Sequence, residues 1–268
     1  MRIAVKTLWE RVWVRRDVFW ELTKRDIAGR YSGSFLGLFW SFLNPLLMLG
    51  VYTLAFREFL GVRWPDMATG ADFSLMIFVG MIVHSLMAEC VARAPTSIVA
   101  NVNLVKRVVF PLAILPCVTL ASSVFNALLS MIVLLLFVFI SHHALPGTLV
   151  YLPFLFAPYA LLLCGVSWFM ASLGVFVRDI TQVAGIITTI LMFLSPVFYP
   201  ASTLHEPYRT WLLYNPLTLI IEQTRSVILF GHAPDWHALA VYTTVAFGVL
   251  LFGYAWFRRT QDGFADVL

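Results

Sequence analysis

The stretch Arg30-Tyr-Ser-Gly-Ser-Phe-Leu-Gly-Leu-Phe-Trp-Ser-Phe-Leu-Asn-Pro-Leu-Leu47 decides how the chain is built. A basic, Trp-rich leader runs into it, and an apolar span begins inside it. Between Arg30 and Arg57 lie 26 residues without Asp, Glu, Lys or Arg. About 20 apolar residues suffice to cross a bilayer, so here the chain leaves the cytosol and enters lipid. Gly29, Gly33 and Gly37 recur every four residues across this boundary. Small residues at that spacing allow close helix approach, and they serve equally as a hinge where a surface helix bends into the membrane. Asn44-Pro45 sits inside the span, where Pro removes a backbone donor and kinks the helix.

Upstream, residues 1–30 hold eight Lys/Arg. Read as a helix, Trp9, Trp13 and Trp20 fall within about 40° of one another at 100° per residue. Trp rings at headgroup level with Lys and Arg beside them describe a helix lying on the cytosolic membrane surface. About 7–15 consecutive apolar residues would mark a secretory signal. None follows the basic residues within this segment, so the first span is expected to act as its own targeting signal.

Composition agrees with a membrane chain. Of 268 residues, 60% are hydrophobic and 12% charged, against about 25% charged in soluble domains. Charge this scarce does not cover a soluble surface of that size. The net charge is +4, but the basic residues flank apolar runs, so the membrane explains them and no nucleic-acid partner is implied. Cys90, Cys117 and Cys164 lie in or beside apolar runs without metal-ligand spacing and read as small hydrophobes.

Downstream, residues 57–72 form a charged break, and a second span starts at Phe73 and takes in Glu89. Glu89 and Arg93 are four apart, the spacing of an ion pair on one helix face. An intramembrane carboxylate also raises a transport role. Residues 93–109 are polar and basic and read as a cytosolic helix-bearing loop. Val108–Val177 contains 70 residues without Asp, Glu, Lys or Arg, enough for two spans, about 112–140 and about 149–176. The break between them is Ser141-His-His-Ala-Leu-Pro-Gly147, which has turn chemistry. Its His142-His143 pair has no carboxylate nearby and carries no metal site. Arg178-Asp179 is a tight turn, a fifth span follows over about 180–198, and a sixth covers about 237–257. Between these two, the Pro-rich segment 200–232 reads as short helices dipping into the outer leaflet.

The expected fold is therefore all-α and integral to the membrane. It has six transmembrane helices, an N-terminal amphipathic interface helix, and short re-entrant helices before the last span, all in one domain over 1–268. Fourteen of the eighteen Lys and Arg fall on the side of the N-terminus, the 93–109 loop, the Arg178 turn and the tail. That asymmetry places both termini in the cytosol. No G-x-x-x-x-G-K-[ST] loop, His-Glu-x-x-His, Cys-x-x-Cys or Gly-x-Ser-x-Gly occurs. Nucleotide binding by such a loop, zinc hydrolysis and serine catalysis are thereby disfavoured. Self-powered transport usually needs ionisable groups near the bilayer midplane, and these are few. What remains is a passage driven from outside the chain. Trp40, Tyr52, Phe193, Phe198 and Tyr199 lie in spans that also carry small or polar residues. They are candidates to line it, since aromatic rings stack on the apolar faces of sugars while letting them slide.

Arg30-Tyr31 followed by Leu36-Gly37-x-x-Trp40-x-x-x-Asn44-Pro45 resembles the start of the membrane subunits of ABC polysaccharide exporters, the permeases for O-antigen, capsule or teichoic acid. Asn103-Leu-x-Lys106-Arg-x-x-Phe110-Pro111-x-x-Ile-Leu-Pro116, Val177-Arg178-Asp179-Ile180, Ser195-Pro196-Val-Phe198-Tyr199-Pro200 and Asn215-Pro216 follow in family order. The resemblance implies an inner-membrane homodimer paired with two copies of a separate ATPase, which binds the ATP and Mg, so that this chain carries no cofactor and no catalytic residue. It implies a cytosolic interface helix over 1–30 and a coupling loop over 93–109, with Asn101, Asn103, Lys106 and Arg107 docking on the ATPase. It implies gate helices over 200–232 at the outer mouth. The implied substrate is a glycan on an undecaprenyl diphosphate carrier, for which Lys24, Arg25 and Arg30 are candidate partners of the diphosphate or of lipid headgroups. A permease of the same architecture exporting a drug or lipid is the alternative. A membrane-embedded glycosyltransferase would need paired carboxylates on an aqueous face, and Asp66 with Asp72 in a loop is a poor candidate.

Overall fold

A computed structural model describes residues 16–32, 37–59, 70–105, 110–201 and 204–268. Among these residues there are helices and turns and no strand. The helices are α1 (Arg16–Tyr31), α2 (Trp40–Tyr52), α3 (Gly70–Arg93), α4 (Thr96–Val99), α5 (Val102–Val105), α6 (Ile114–His142), α7 (Leu152–Phe176), α8 (Ile180–Phe193), α9 (Tyr208–Leu213), α10 (Pro216–Leu229), α11 (Trp236–Thr260) and α12 (Phe264–Val267).

Among the described residues, four segments are long and apolar enough to cross a membrane: Phe73–Arg93, Ile114–His142, Gly147–Phe176 and Trp236–Val267. Two shorter apolar helices, Phe42–Ala55 and Ile180–Phe193, accompany them. The most apolar window of α3 is 72% buried, against 28–33% in the other three. So α3 is the central stave, and α6, α7 and α11 turn apolar faces outward. On α8 the exposed Val183, Ile186, Ile190 and Phe193 recur at helical spacing along one side. Such a surface is stable only against lipid or another apolar chain.

Local chemistry explains where the helices start and stop. Asp235 caps α11, its carboxylate accepting from the backbone N–H groups of His237 and Ala238 at 3.0 Å each. Arg258 and Arg259 in the last turn of α11 meet the negative end of its dipole. Asn215 caps α10 by accepting from the Leu217 N–H at 2.9 Å, and Pro216 takes the first helical position, where a missing N–H costs nothing. At its far end α6 stops at His143, whose φ of 55° ends the helical path. Pro45 lies within α2, which continues as a π-helix over Thr53–Phe59.

The tightest packing joins α7 to α11. A Cβ on Gly253 would stand 2.0 Å from the Gly165 carbonyl oxygen, and one on Gly165 2.5 Å from that of Val249. Only glycine lets these two backbones touch. Beside this seam, Trp168 is buried with its ring 5.1 Å from that of Tyr254, and its indole N–H donates to the Ala113 carbonyl at 2.9 Å.

Candidate functional site

Two polar centres stand out, one near each end of α3. The first joins three helices, each through a pair of residues one turn apart. Helix α1 contributes Asp26 and Arg30, α3 contributes Glu89 and Arg93, and α6 contributes Ser122 and Asn126. Arg93 Nη2 donates to both Asp26 oxygens at 2.8 and 2.9 Å, one nitrogen straddling the carboxylate in charge-assisted bonds. Arg93 Nη1 reaches Glu89 Oε1 at 3.4 Å, and Arg30 Nη1 pairs with the same oxygen. Ser122, fully buried, donates to Asp26 and accepts from Arg30 at 2.7 Å and Arg93 at 3.1 Å. Asn126 Nδ2 donates to Glu89 Oε2 at 3.3 Å. Two guanidiniums face two carboxylates, so the charges of the cluster balance, although Arg30 Nε, 3.8 Å from Asp26, is left without a hydrogen bond.

This cluster borders a cavity of about 440 Å³, lined among others by Arg25, Arg30, Arg93, Ser97 and Asn101. The α4–α5 segment forms its rim. Pro95 seats that segment on α7, where a Cβ on Gly174 would lie 2.2 Å from the Pro95 oxygen. Asn101 Nδ2 donates to the Ser97 carbonyl at 2.9 Å and holds the turn between α4 and α5. Glu89 also lines a second cavity of about 320 Å³, together with Asn44, Tyr52, Ser85, Ser123 and Asn126. The ion cluster is thus the partition between the two cavities.

The second centre lies at the other end of α3, around the turn that ends α8. Asn215 Nδ2 donates to the Leu194 carbonyl at 3.0 Å and the Ser195 hydroxyl at 2.9 Å, while Ser195 donates back to Leu191. Arg225, on α10, is 2% exposed. Its guanidinium donates to the carbonyls of Met76 at 3.0 Å, Pro196 at 2.6 Å and Val197 at 2.8 Å. Helix α10 spans 14 residues, about 21 Å, too short to cross a bilayer. Arginine keeps its proton in proteins, so the buried side chain is a cation.

The remaining sequence candidates are placed as follows. Lys24 is exposed and pairs with Glu21 at 2.9 Å. Asn103 is exposed on α5. Trp40 opens α2 and is exposed, while Tyr52 and Phe198 pack on Phe73, Met76 and Ile77. Phe193 is exposed, its ring 6.3 Å from that of Phe198, and the Tyr199 hydroxyl donates to the Phe193 carbonyl at 3.0 Å. Gly29 has open space where a Cβ would stand, and Gly37 adopts a φ of +50°, in the region that favours glycine. Gly33, Lys106, Arg107, Trp9 and Trp13 lie outside the described residues. Among the described residues, no three His, Cys, Asp or Glu side chains gather to hold a metal. Asp26, Ser122 and Arg225 were not among the candidates. The i, i+4 spacing of Asp26 and Arg30 was a signal for the first. Nothing in the chain order brings Arg225 to Met76.

Residues 17–229 match the family model of ABC-2 type transporters. The chain is 23% identical over 255 residues to an O-antigen export system permease protein, RfbA, of Klebsiella pneumoniae, covering 94% of this chain and 95% of the relative. It is 25% identical over 253 residues to the RfbA permease of Myxococcus xanthus, with the same coverages. To the polysialic acid transport protein KpsM of Escherichia coli it is 22% identical over 244 residues, covering 89% and 91%. With a family match over most of its length and apolar helices of spanning length, the chain belongs to the membrane subunits of the ABC-2 type transporters.

Proposed function

We propose that the chain is the permease subunit of an ATP-driven exporter that moves undecaprenyl-diphosphate-linked polysaccharide, of the O-antigen type, from the cytosol to the outer face of the inner membrane. The observation that carries this reading is similarity over 94% of the chain to permeases named for O-antigen export, in a chain whose α4–α5 segment is seated on α7. The chain works as a homodimer with two copies of a separate ATPase, which carries ATP and Mg. It crosses the membrane six times, with α2 and α8 supplying the crossings beyond the four long ones, and both termini are cytosolic.

In this reading the ATPase docks on the segment through Asn101–Arg107. Because Pro95 abuts Gly174 and Arg93 grips Asp26, a push there reaches α7, α3 and α1 together. Arg25 and Arg30, on the 440 Å³ cavity, stand where a carrier diphosphate would pass from the cytosolic leaflet, with Lys24 on the neighbouring surface. The aromatic side chains at Trp40, Phe193 and Tyr199 offer sliding contacts for sugar rings.

The test is deletion of the gene followed by analysis of surface and cytosolic glycan, with the intact chain restored as control. Accumulation of lipid-linked polymer inside, with loss from the surface, is the expected result. Unchanged surface glycan would overturn the polysaccharide reading and leave export of a drug or lipid by the same fold.

A further inference from the structure

We propose that Arg225 is a positioning residue that bolts α10 and the end of α8 to α3, so that these three segments shift as one body when the exporter opens. The inference rests on the reading of the chain as an export permease. Residues Pro196 and Val197 lie in the turn beyond the C-cap of α8, where main-chain carbonyls have no helical N–H to accept from. Arg225 supplies donors to two of these carbonyls and, through Nε, to Met76 on α3, which lies 149 residues away in the chain. A guanidinium has five N–H donors in a fixed fork, which suits it to gather carbonyls from separate segments.

Helix α3 is shaped for the bolt. Met76, Gly80 and His84 follow one another at four-residue spacing along one face. At Gly80 a Cβ would meet Arg225 Nη2 at 3.0 Å and the Val197 Cα at 3.1 Å, so a side chain there would press the guanidinium and the turn outward by a few tenths of an ångström. One turn further along, His84 Nε2 contacts the Thr188 carbonyl at 3.0 Å, tying α3 to the middle of α8. Asn215 makes the second tie between α10 and the α8 end. Glu222 stands 3.8 Å from Nη1 and is 41% exposed, so solvent screens its pull on the guanidinium. Separating α10 from α3 would strip a buried cation of charge-assisted hydrogen bonds in a water-poor site, where such bonds are strongest. The opposite end of α3 carries Glu89 and Arg93. A displacement received there therefore arrives at Met76, about 26 Å along the helix, and moves α10 with it.

The test uses the whole chain in complex with its ATPase. Cys90, Cys117 and Cys164 are replaced, and spin labels are placed through Ser85→Cys on α3 and Phe230→Cys at the end of α10 of one protomer only, paired with an unlabelled, cysteine-free protomer so that the distance read is within one chain. Pulsed distance measurements compare the nucleotide-free and ATP-trapped complexes. One narrow distance, the same in both states, is expected with Arg225 present, and a broadened or split one in Arg225→Met. Surface glycan is expected to fall at least tenfold in Arg225→Met while ATP hydrolysis is retained, with Arg225→Lys between the two. A label distance that shifts with nucleotide in the Arg225 protein overturns the bolt, as does normal export by Arg225→Met. If Arg225→Met fails to accumulate, the measurement on the Arg225 protein still decides. If the intact chain restores no surface glycan, the export reading falls, and the distance result stands independently.

Discussion

Single side chains carry most of the specificity of this fold, and they are testable one at a time. Gly253 and Gly248 lie on the same helix, α11, yet a Cβ on Gly253 would strike the Gly165 carbonyl and one on Gly248 would meet open space. Ala is favoured over Gly inside a helix by about 1 kcal/mol. Gly248→Ala is therefore expected to leave the melting temperature of the purified protein unchanged or slightly raised. Gly253→Ala is expected to lower it by several degrees, because α7 and α11 must part. Equal behaviour of the two variants would mean that the α7–α11 seam is not closely packed. The ion cluster gives a second test. Asp26→Asn removes the carboxylate charge that Arg93 grips with two hydrogen bonds. The four charged side chains of the cluster keep 17–34% of their exposure, so solvent screens part of the loss, and about 1–3 kcal/mol is expected. Asp26→Arg and Arg93→Asp should each destabilise the complex, and the two together should recover much of the loss. A double-mutant cycle on thermal unfolding reads the coupling. Additive losses would mean that the pair does not interact.

Elements were legible in the sequence where composition marks both ends of a helix. The uncharged run from Val108 to Val177, broken at Ser141–Gly147, led to spans over about 112–140 and 149–176, and the helices cover Ile114–His142 and Gly147–Phe176. Arg258-Arg259 marks the end of the last one in the same way. What a neighbouring element contributes was not legible. Four-residue spacing shows that Glu89 and Arg93 share a face of α3, and it would have shown the same for Asp26 and Arg30 on α1. It does not say that the two faces meet, because that depends on how α1 lies across α3 and α6. The same holds for Asn215-Pro216 and Ser195-Pro196, two turn signals 20 residues apart that fold onto one another. The seating of α4–α5 on α7 belongs to this scale too. Gly174→Ala places a methyl carbon against the Pro95 carbonyl, and backbone there has no side chain to swing aside. The variant is expected to shift the α4–α5 segment, raising basal ATP hydrolysis relative to export in the reconstituted complex. An unchanged ratio of the two would show that the segment tolerates displacement from α7 without losing its grip on the ATPase.

Across the whole molecule, the proposed six crossings require α2 and α8 to span beside the four long apolar segments found among the described residues. Helix α2 runs on through its π-helical turn to Phe59, giving twenty residues from Trp40, or about 30 Å at 1.5 Å per residue. Helix α8 has fourteen residues, about 21 Å, so it falls short of a hydrocarbon core of about 30 Å. A non-helical backbone at membrane depth is tolerated where protein satisfies its polar groups. Arg225 and Asn215 do this for the carbonyls of Leu194, Pro196 and Val197. Helix α8 and the turn after it are therefore expected to complete one crossing, with α9 and α10 returning only part of the way. Alkaline phosphatase, active only outside the inner membrane, distinguishes the possibilities when fused at successive points. Fusions after His143 and after His232 are expected to be active, and those after Arg178 and at Leu268 inactive. If α8 did not cross, the fusions after Arg178 and His232 would report the same side. Helix α11 would then carry Leu268 to the opposite one, separating the C-terminus from the basic N-terminal segment. The fourteen Lys and Arg assigned to one side would then be divided between both, against the charge asymmetry that orients membrane chains.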